Sequence, residues 1–273
     1  MKKSYLEVAK EAALLAGKLL MSSYGKLKKS QISTKSRNDF VTEIDKKSEK
    51  LIISIIKKNF PNHSILAEES GMNKGPVETL HATSLLWIID PLDGTANYIH
   101  QFPMFSISIG VLEKGALKAG VIYDPLHKEL FSCEQGRGSY LNGSRIHVSK
   151  TKLLADSMMA TGIPFRARGR FDPYMKSFKK ISLSSSGMRR GGSAALDLAY
   201  VACGRFEGFW EINLSPWDVA AGALLIQEAG GKVTDLWGRG DYLKNGDILA
   251  SNKAIHAQLQ SIASKAITPK ASP

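Results

Sequence analysis

Cysteine is scarce in this sequence: Cys133 and Cys203 are the only two in 273 residues, and no paired spacing links them. That argues against a disulfide framework and leads us to expect a reducing, cytoplasmic setting. The six histidines are scattered, with no HxxxH pair and no Cys/His cluster, so a zinc-site pattern is missing. No apolar run reaches the roughly 18 residues that suggest a membrane span. The opening MKKSYLEVAKEAALLAGKLL has the lysines and the Ala/Leu content of a signal peptide. Lys10, Glu11 and Lys18 interrupt it and no small-residue cleavage site follows, so it reads as an amphipathic helix. Internal repeats, low-complexity linkers, a GxSxG elbow and a P-loop lysine motif are also lacking.

What is abundant is positive charge, with a formal net charge of +12. Residues 1–60 carry 14 Lys/Arg against 6 Asp/Glu, and residues 166–190 carry 8 against 1. Such surfaces attract anions, either phosphorylated small molecules or nucleic acid, or form a solvated basic face. Aromatic residues do not interleave with the basic ones, so base stacking is not indicated. The length suits one domain over 1–273, built as two packed subdomains of roughly 1–150 and 151–267.

Hydrophobic periodicity predicts a helix over about residues 3–22, a polar loop at Lys35–Phe40, and a second helix opened by Thr42. Leu51, Ile52, Ile55 and Ile56 supply one apolar face of that helix, and Pro61 ends it. Strands are predicted at His63–Glu69, at LLWIID (85–90), at FSISIGVL (105–112) and at ALKAGVIYD (116–124), with Glu113-Lys114-Gly115 as a hairpin turn. Shorter strands follow at Glu129–Glu134 and Ser139–Leu141. Later come a helix through SAALDLAYVACG, another through WDVAAGALLIQEAGG, a strand near Ile248 and a terminal helix. Blocks of strands and paired helices, without strict alternation, indicate an α+β class.

The chemistry concentrates in WIIDPLDGTANY. A buried-type strand runs into Asp90, and Pro91, having no N–H, is expected to end the pairing. Asp93 then returns beside Asp90, with the Leu92 carbonyl facing the same space. Carboxylates with a carbonyl make a hard-cation site, and the Gly94 and Thr95 N–H groups suit an anion. ILAEES is a second apolar strand ending in acid at Glu68, and Trp217-Asp218 opens a very apolar helix. Alone, each of these is a solvated strand end or a helix cap.

Together, KSRNDFVTEID, ILAEES, WIIDPLDGTANYIH and SPWDVAAGALLIQEAGG resemble the successive motifs of the inositol monophosphatase family, from the first helix to about Ala266. GGSAALDLAYVACGRFEGFWE is similar to its bacterial inositol-1-monophosphatase branch. The resemblance implies a layered αβαβα sandwich, a homodimer, and lithium-sensitive phosphatase activity with two to three Mg2+ ions per site. It further implies metal ligation by Glu68, Asp90, the Leu92 carbonyl, Asp93 and Asp218, and reception of phosphate by Gly94 and Thr95. Thr95 with Asp45 would activate the attacking water, Glu68 standing with them in catalysis; read without the resemblance, Asp45 is equally a first-turn helix acid. Lys35 and Asp39 match a lid near the phosphate and the third ion, where a solvated basic turn is the plain alternative.

Gly192, Ser193 and Ala194 match positions lining the substrate pocket, and Glu211 matches an acid that accepts from inositol hydroxyls, with Asp93 near the ring. Glu211 is otherwise a strand-end acid paired with a base such as Arg190. Inositol monophosphate, histidinol phosphate and sugar bisphosphates such as fructose 1,6-bisphosphate all fall within the superfamily's range. Some bacterial members also act in transcription complexes, which the basic surplus permits.

Overall fold

A computed structural model describes residues 3–36, 39–73, 85–164 and 167–268. Helix α1 (Tyr5–Ser23) opens on Ser4, whose hydroxyl accepts from the Glu7 N–H while Glu7 reaches back to the Ser4 N–H. The Lys35–Phe40 segment, read from sequence as a polar loop, is mostly ladder: β1 (Ile32–Ser36) pairs antiparallel with β2 (Asp39–Thr42). Its alternating Ile, Thr and Val suit a ribbon, but a strand this short is recognisable only once its partner is known. Thr42 then caps α2 (Glu43–Asn59), and the Asp45 carboxylate receives the Thr42 N–H at 2.9 Å.

The buried side of α2 includes the predicted Ile52 and Ile56, but it is not centred on the predicted face. Ile44, Ser48, Ile52 and Ile56 form the stripe, with Asp45 and Glu49 beside it, whereas Leu51 and Ile55 are only half-buried. Spacing by fours from Ile44 explains this, since it sets the stripe one residue away from 51 and 55.

The main sheet has eight strands: β3 (Ser64–Ala67), β4 (Gly71–Asn73), β5 (Leu85–Asp93), β6 (Ser106–Glu113), β7 (Ala116–Asp124), β8 (Glu129–Glu134), β9 (Gly138–Leu141) and β10 (Ser144–Ile146). Their order is β10-β9-β8-β7-β6-β5-β3-β4, antiparallel except where β3 runs parallel to β5. After β11 (Met158–Thr161) comes α4 (Phe171–Ser184), which lies in the basic 166–190 segment and exposes Lys176, Lys179 and Lys180. The second sheet adds β12 (Gly187–Arg189), β13 (Gly208–Glu211), β14 (Lys232–Thr234) and β15 (Ile248–Ser251) in the order β12-β11-β13-β15-β14. The remaining helices are α3 (Thr95–Ile99), α5 (Ala194–Ala202), α6 (Pro216–Glu228), α7 (Tyr242–Asn245) and α8 (His256–Ala266).

Three apolar clusters arrange these elements as the layers α1/α2, first sheet, α5/α6, second sheet and α4/α8. The period of two in β5 divides its side chains between clusters: Leu85, Trp87 and Ile89 face α1 and α2, while Leu86 and Ile88 face α5 and α6. Helix α6 can approach the sheet because Gly110 and Gly120 pair directly across β6 and β7. A Cβ on Gly110 would stand 2.9 Å from the Ala220 Cβ, and one on Gly120 would stand 2.9 Å from the Ala221 carbonyl. Among the described residues no helix is long and apolar enough to cross a membrane.

Candidate active site

The strand carrying the two aspartates does not stop at Asp90. It continues through Pro91 to Asp93, because a bulge absorbs the proline: Asp90 pairs with Ser108 and Asp93 with Ser106, three steps on β5 against two on β6. The Asp90 Oδ1 atom accepts the Leu92 N–H at 3.0 Å, which folds the side chain back into the bulge. The two serines opposite the acids then reach to the middle helical layer. Ser108 Oγ donates to the Trp217 carbonyl at 3.1 Å, tying down the first turn of α6, and Ser106 Oγ lies 3.4 Å from Ser193 Oγ at the start of α5.

Asp218 is thereby brought to the aspartate pair. Oxygens of Asp90, Asp93 and Asp218 lie within 4.8 Å of one another. The Ser215 N–H donates to Asp218 Oδ2 at 2.7 Å, so the acid caps its own helix while facing the cluster. Glu68, in the turn after β3, lines the same cavity and stands close enough to disfavour ionisation of Asp90, Asp93 and Asp218. Asp93 Oδ2 accepts from Ser193 Oγ and from the Ala195 N–H at 2.9 Å. The Ser193 hydroxyl, fully buried, is therefore directed at a carboxylate.

Thr95 and Asp45 also meet. Thr95 Oγ1 lies 2.9 Å from Asp45 Oδ1 and 3.0 Å from the Leu92 carbonyl, so its single proton is shared between two acceptors. Asp45 Oδ2 is held by the Thr42 N–H and hydroxyl. Between Asp93 and Thr95 the chain turns at Gly94 with φ +89°, where a Cβ would sit 2.9 Å from the Met104 carbonyl. Only glycine fits this turn into α3.

A cavity of about 460 Å³ is lined by Glu68, Asp90, Leu92, Asp93, Gly94, Thr95, Gly192, Ser193, Ala194, Glu211 and Asp218. Asp45 joins it through Thr95. The side chains of residues 35–39 lie outside the described structure, and with them the expectations for Lys35 and Asp39. Arg190, which with Arg189 the sequence offers as a basic pocket group for a bisphosphate, does line the cavity, whereas Asn97, Gly162 and Asp197 are among the lining residues that sequence reasoning missed. Asn97 Nδ2 clamps the Met104 carbonyl at 2.7 Å and the Gly191 carbonyl at 2.9 Å, joining the turn after α3 to the segment before α5. Asp197 is buried in the first turn of α5, and its Oδ1 has no hydrogen-bond partner among the described residues. A lone acid in the apolar run AALDLAYVA was its readable signal.

The electrostatics ask for a cation. Burial, then the neighbouring charges of Glu68, Asp93 and Asp218, pushes Asp90 well above the usual carboxylate range. Burial raises Asp93 to about 6 against the opposing bonds from Ser193 and Ala195, and it raises Asp218 well above the ordinary value, with Asp93 and Glu68 adding to the shift. Asp45 is also raised by burial to about 6, though Thr42 and Thr95 pull the other way. Converging carboxylates are costly unless paired or metal-bound. Their donor set, carboxylate oxygens with the Leu92 carbonyl nearby, suits a hard divalent ion such as Mg2+.

Comparison with known proteins is consistent with this chemistry. The model of the inositol monophosphatase family matches residues 1–268. The chain is 44% identical over 260 residues to the Nus factor SuhB of Pseudomonas aeruginosa, covering 94% of this chain and 95% of that protein. It is 40% identical over 265 residues to the inositol-1-monophosphatase of Mesorhizobium japonicum, covering 97% and 98%. Among solved structures, the inositol monophosphatase of Anabaena superposes with a TM-score of 0.84 at 44% identity, covering 97% of this chain and 96% of the other.

Proposed function

This chain belongs to the inositol monophosphatase family, and from that premise we propose a Mg2+-dependent phosphomonoesterase that hydrolyses myo-inositol 1-phosphate and related polyol phosphates. The observation that carries the reading is the meeting of Asp90, Asp93 and Asp218 oxygens within 4.8 Å, beside Glu68 and next to the Gly94 turn. Glu68, Asp90, the Leu92 carbonyl, Asp93 and Asp218 would hold two to three ions. When bound, Mg2+ neutralises phosphate charge and lowers the pKa of water.

The chain's own groups supply the rest. The N–H groups of Gly94 and Thr95 are offered to the phosphate oxygens. Thr95 Oγ1 takes a proton from the attacking water and passes its own to Asp45 Oδ1, 2.9 Å away. Burial helps here, because an acid raised to about 6 is a better base near neutral pH than an ordinary aspartate. Ser193 and the Ala195 N–H hold Asp93 in place. Glu211 accepts from hydroxyls of the leaving polyol, which is received next to Gly192 and Ala194.

Phosphate release from myo-inositol 1-phosphate, histidinol phosphate, fructose 1,6-bisphosphate and glycerol 2-phosphate, each with Mg2+ and with EDTA, tests the proposal. Mg2+-dependent release that favours the inositol ester is expected. Release from none of them, or release indifferent to Mg2+, overturns it. Lithium inhibition, a cytoplasmic location and a homodimer belong to the same reading.

The name Nus factor SuhB on the Pseudomonas relative favours a second reading, an added role in a transcription complex. Binding to transcription machinery that survives Asp93→Asn would support that role, and it would be separate from hydrolysis.

A further inference from the structure

Strands β11 and β13 run parallel, with Thr161 paired to Trp210, and the next residue on each, Gly162 and Glu211, reaches the cavity side by side. A Cβ placed on Gly162 would lie 2.0 Å from Glu211 Oε1, 2.2 Å from Oε2 and 2.2 Å from Cδ. These are the three heavy atoms nearest to it, so the whole carboxylate lies over the bare Cα. Gly162 is not among the glycines with positive φ, and the backbone there would accept alanine. What requires glycine is the space taken by Glu211.

The platform beneath the carboxylate is fixed. The Gly162 carbonyl accepts from Tyr174 Oη at 2.9 Å, and the same hydroxyl meets Thr161 Oγ1 and lies 3.1 Å from the Trp210 carbonyl. Thr161 Oγ1 in turn donates to the Trp210 carbonyl at 2.8 Å. Tyr174 is fully buried and its ring stacks on Trp210 with centroids 6.2 Å apart. A methyl added at 162 would therefore be met by movement of the flexible glutamate, since the anchored backbone is held from below.

We propose that Gly162 determines specificity for polyol esters, by setting where the Glu211 carboxylate receives a substrate hydroxyl. This rests on the reading of Glu211 as the acid that faces the polyol. Relieving a 2.0 Å approach to ordinary contact moves the carboxylate by more than 1 Å, enough to misalign a hydrogen bond without touching Asp90, Asp93 or Thr95. Gly162 is a positioning residue, acting only through Glu211.

The experiment compares Gly162→Ala with the unsubstituted protein on two esters with Mg2+, myo-inositol 1-phosphate and para-nitrophenyl phosphate, whose leaving group carries no polyol hydroxyls. The ratio of kcat/KM for the inositol ester to that for the aryl ester is expected to fall at least about tenfold, mainly through KM. In a Glu211→Ala background the added methyl should leave the ratio unchanged. An active Gly162→Ala enzyme with an unaltered ratio overturns the inference, as does an equal loss in both backgrounds. Should Gly162→Ala fail to fold, Gly162→Ala/Glu211→Ala must fold, because the clashing carboxylate is gone; failure of that pair also overturns it. Release from neither ester by the unsubstituted protein overturns the phosphatase reading and this inference with it, whereas a phosphatase with an unaltered ratio sinks this inference alone.

Discussion

Asp93→Asn removes one charge from the buried cluster and can be followed without any substrate. Unfolded, an aspartate titrates near its reference value of 3.8, whereas in the folded metal-free protein Asp93 is raised to about 6. Between those values the folded state binds more protons than the unfolded one, so stability falls as pH rises through the window. Below the unfolded value there is no penalty, and above about 6 it is present in full. About two pKa units correspond to about 3 kcal/mol. Asparagine keeps an acceptor for Ser193 and Ala195 but does not titrate. Urea unfolding in EDTA should therefore show the variant gaining about 3 kcal/mol on the unsubstituted protein between pH 4 and pH 7.

Mg2+ should act in the opposite direction, because it binds the ionised acids and must displace their protons. A tenfold excess over its dissociation constant adds about 1.4 kcal/mol, or about 2–3 °C in Tm for a chain of this size. The shift is expected at pH 7.5, to shrink towards pH 5, and to be largely lost in Asp93→Asn. Parallel pH profiles for the two proteins in EDTA would refute the raised Asp93. A Mg2+ shift of the same size at pH 5 and pH 7.5 would refute ligation by this cluster.

Two other outcomes follow from buried hydroxyl and imidazole contacts. Ser193→Ala removes the hydroxyl that holds Asp93 Oδ2 and that also caps Leu196 N at 3.3 Å; it should cost about 1–2 kcal/mol in urea unfolding and lower kcat about tenfold or more, and unchanged kcat would mean that Asp93 needs no such support. His256 is buried between Ser251 Oγ at 2.8 Å and Thr234 Oγ1 at 3.0 Å, and burial, with a smaller contribution from Lys232, lowers it to about 4. Its contribution is complete above the unfolded value of 6.5 and is lost as pH falls through about 4, about 3 kcal/mol in all. His256→Gln should gain that amount on the unsubstituted protein between pH 7 and pH 4, and parallel denaturation profiles would refute it.

The parts of the site legible in the sequence were those in which a local apolar run ends in acid. Leu85–Ile89 reads as a buried strand, and whatever follows it must emerge at one end of a sheet, so Asp90 and Asp93 carry their position with them. Asp218 is legible for the same reason at the head of α6. Pro91 misled because its effect depends on the partner strand: lacking an N–H, it ends a regular ladder, but the bulge against Ser106–Ser108 asks no hydrogen bond of it. The α2 face was half legible: Ile52 and Ile56 are buried as predicted, but polar Ser48 and Glu49, not Leu51 and Ile55, hold the other buried positions, which hydropathy assigns to solvent.

What remained out of reach has a common physical form. Ser193 meets Asp93 across 100 residues and Ser108 meets Trp217 across 109, and each contact joins a small hydroxyl to a group on another layer. A hydroxyl has no periodicity and carries no net charge, so nothing local marks which serine among many holds an acid in place. Glycine behaves alike: Gly110, Gly120 and Gly162 are ordinary in sequence, and each matters through the atom that occupies the space above its Cα. The acids specify which chemistry is available, whereas these small residues fix where each acid stands. That division predicts that substitutions at the small residues weaken or redirect the reaction, while substitutions at Asp90, Asp93 and Asp218 abolish it.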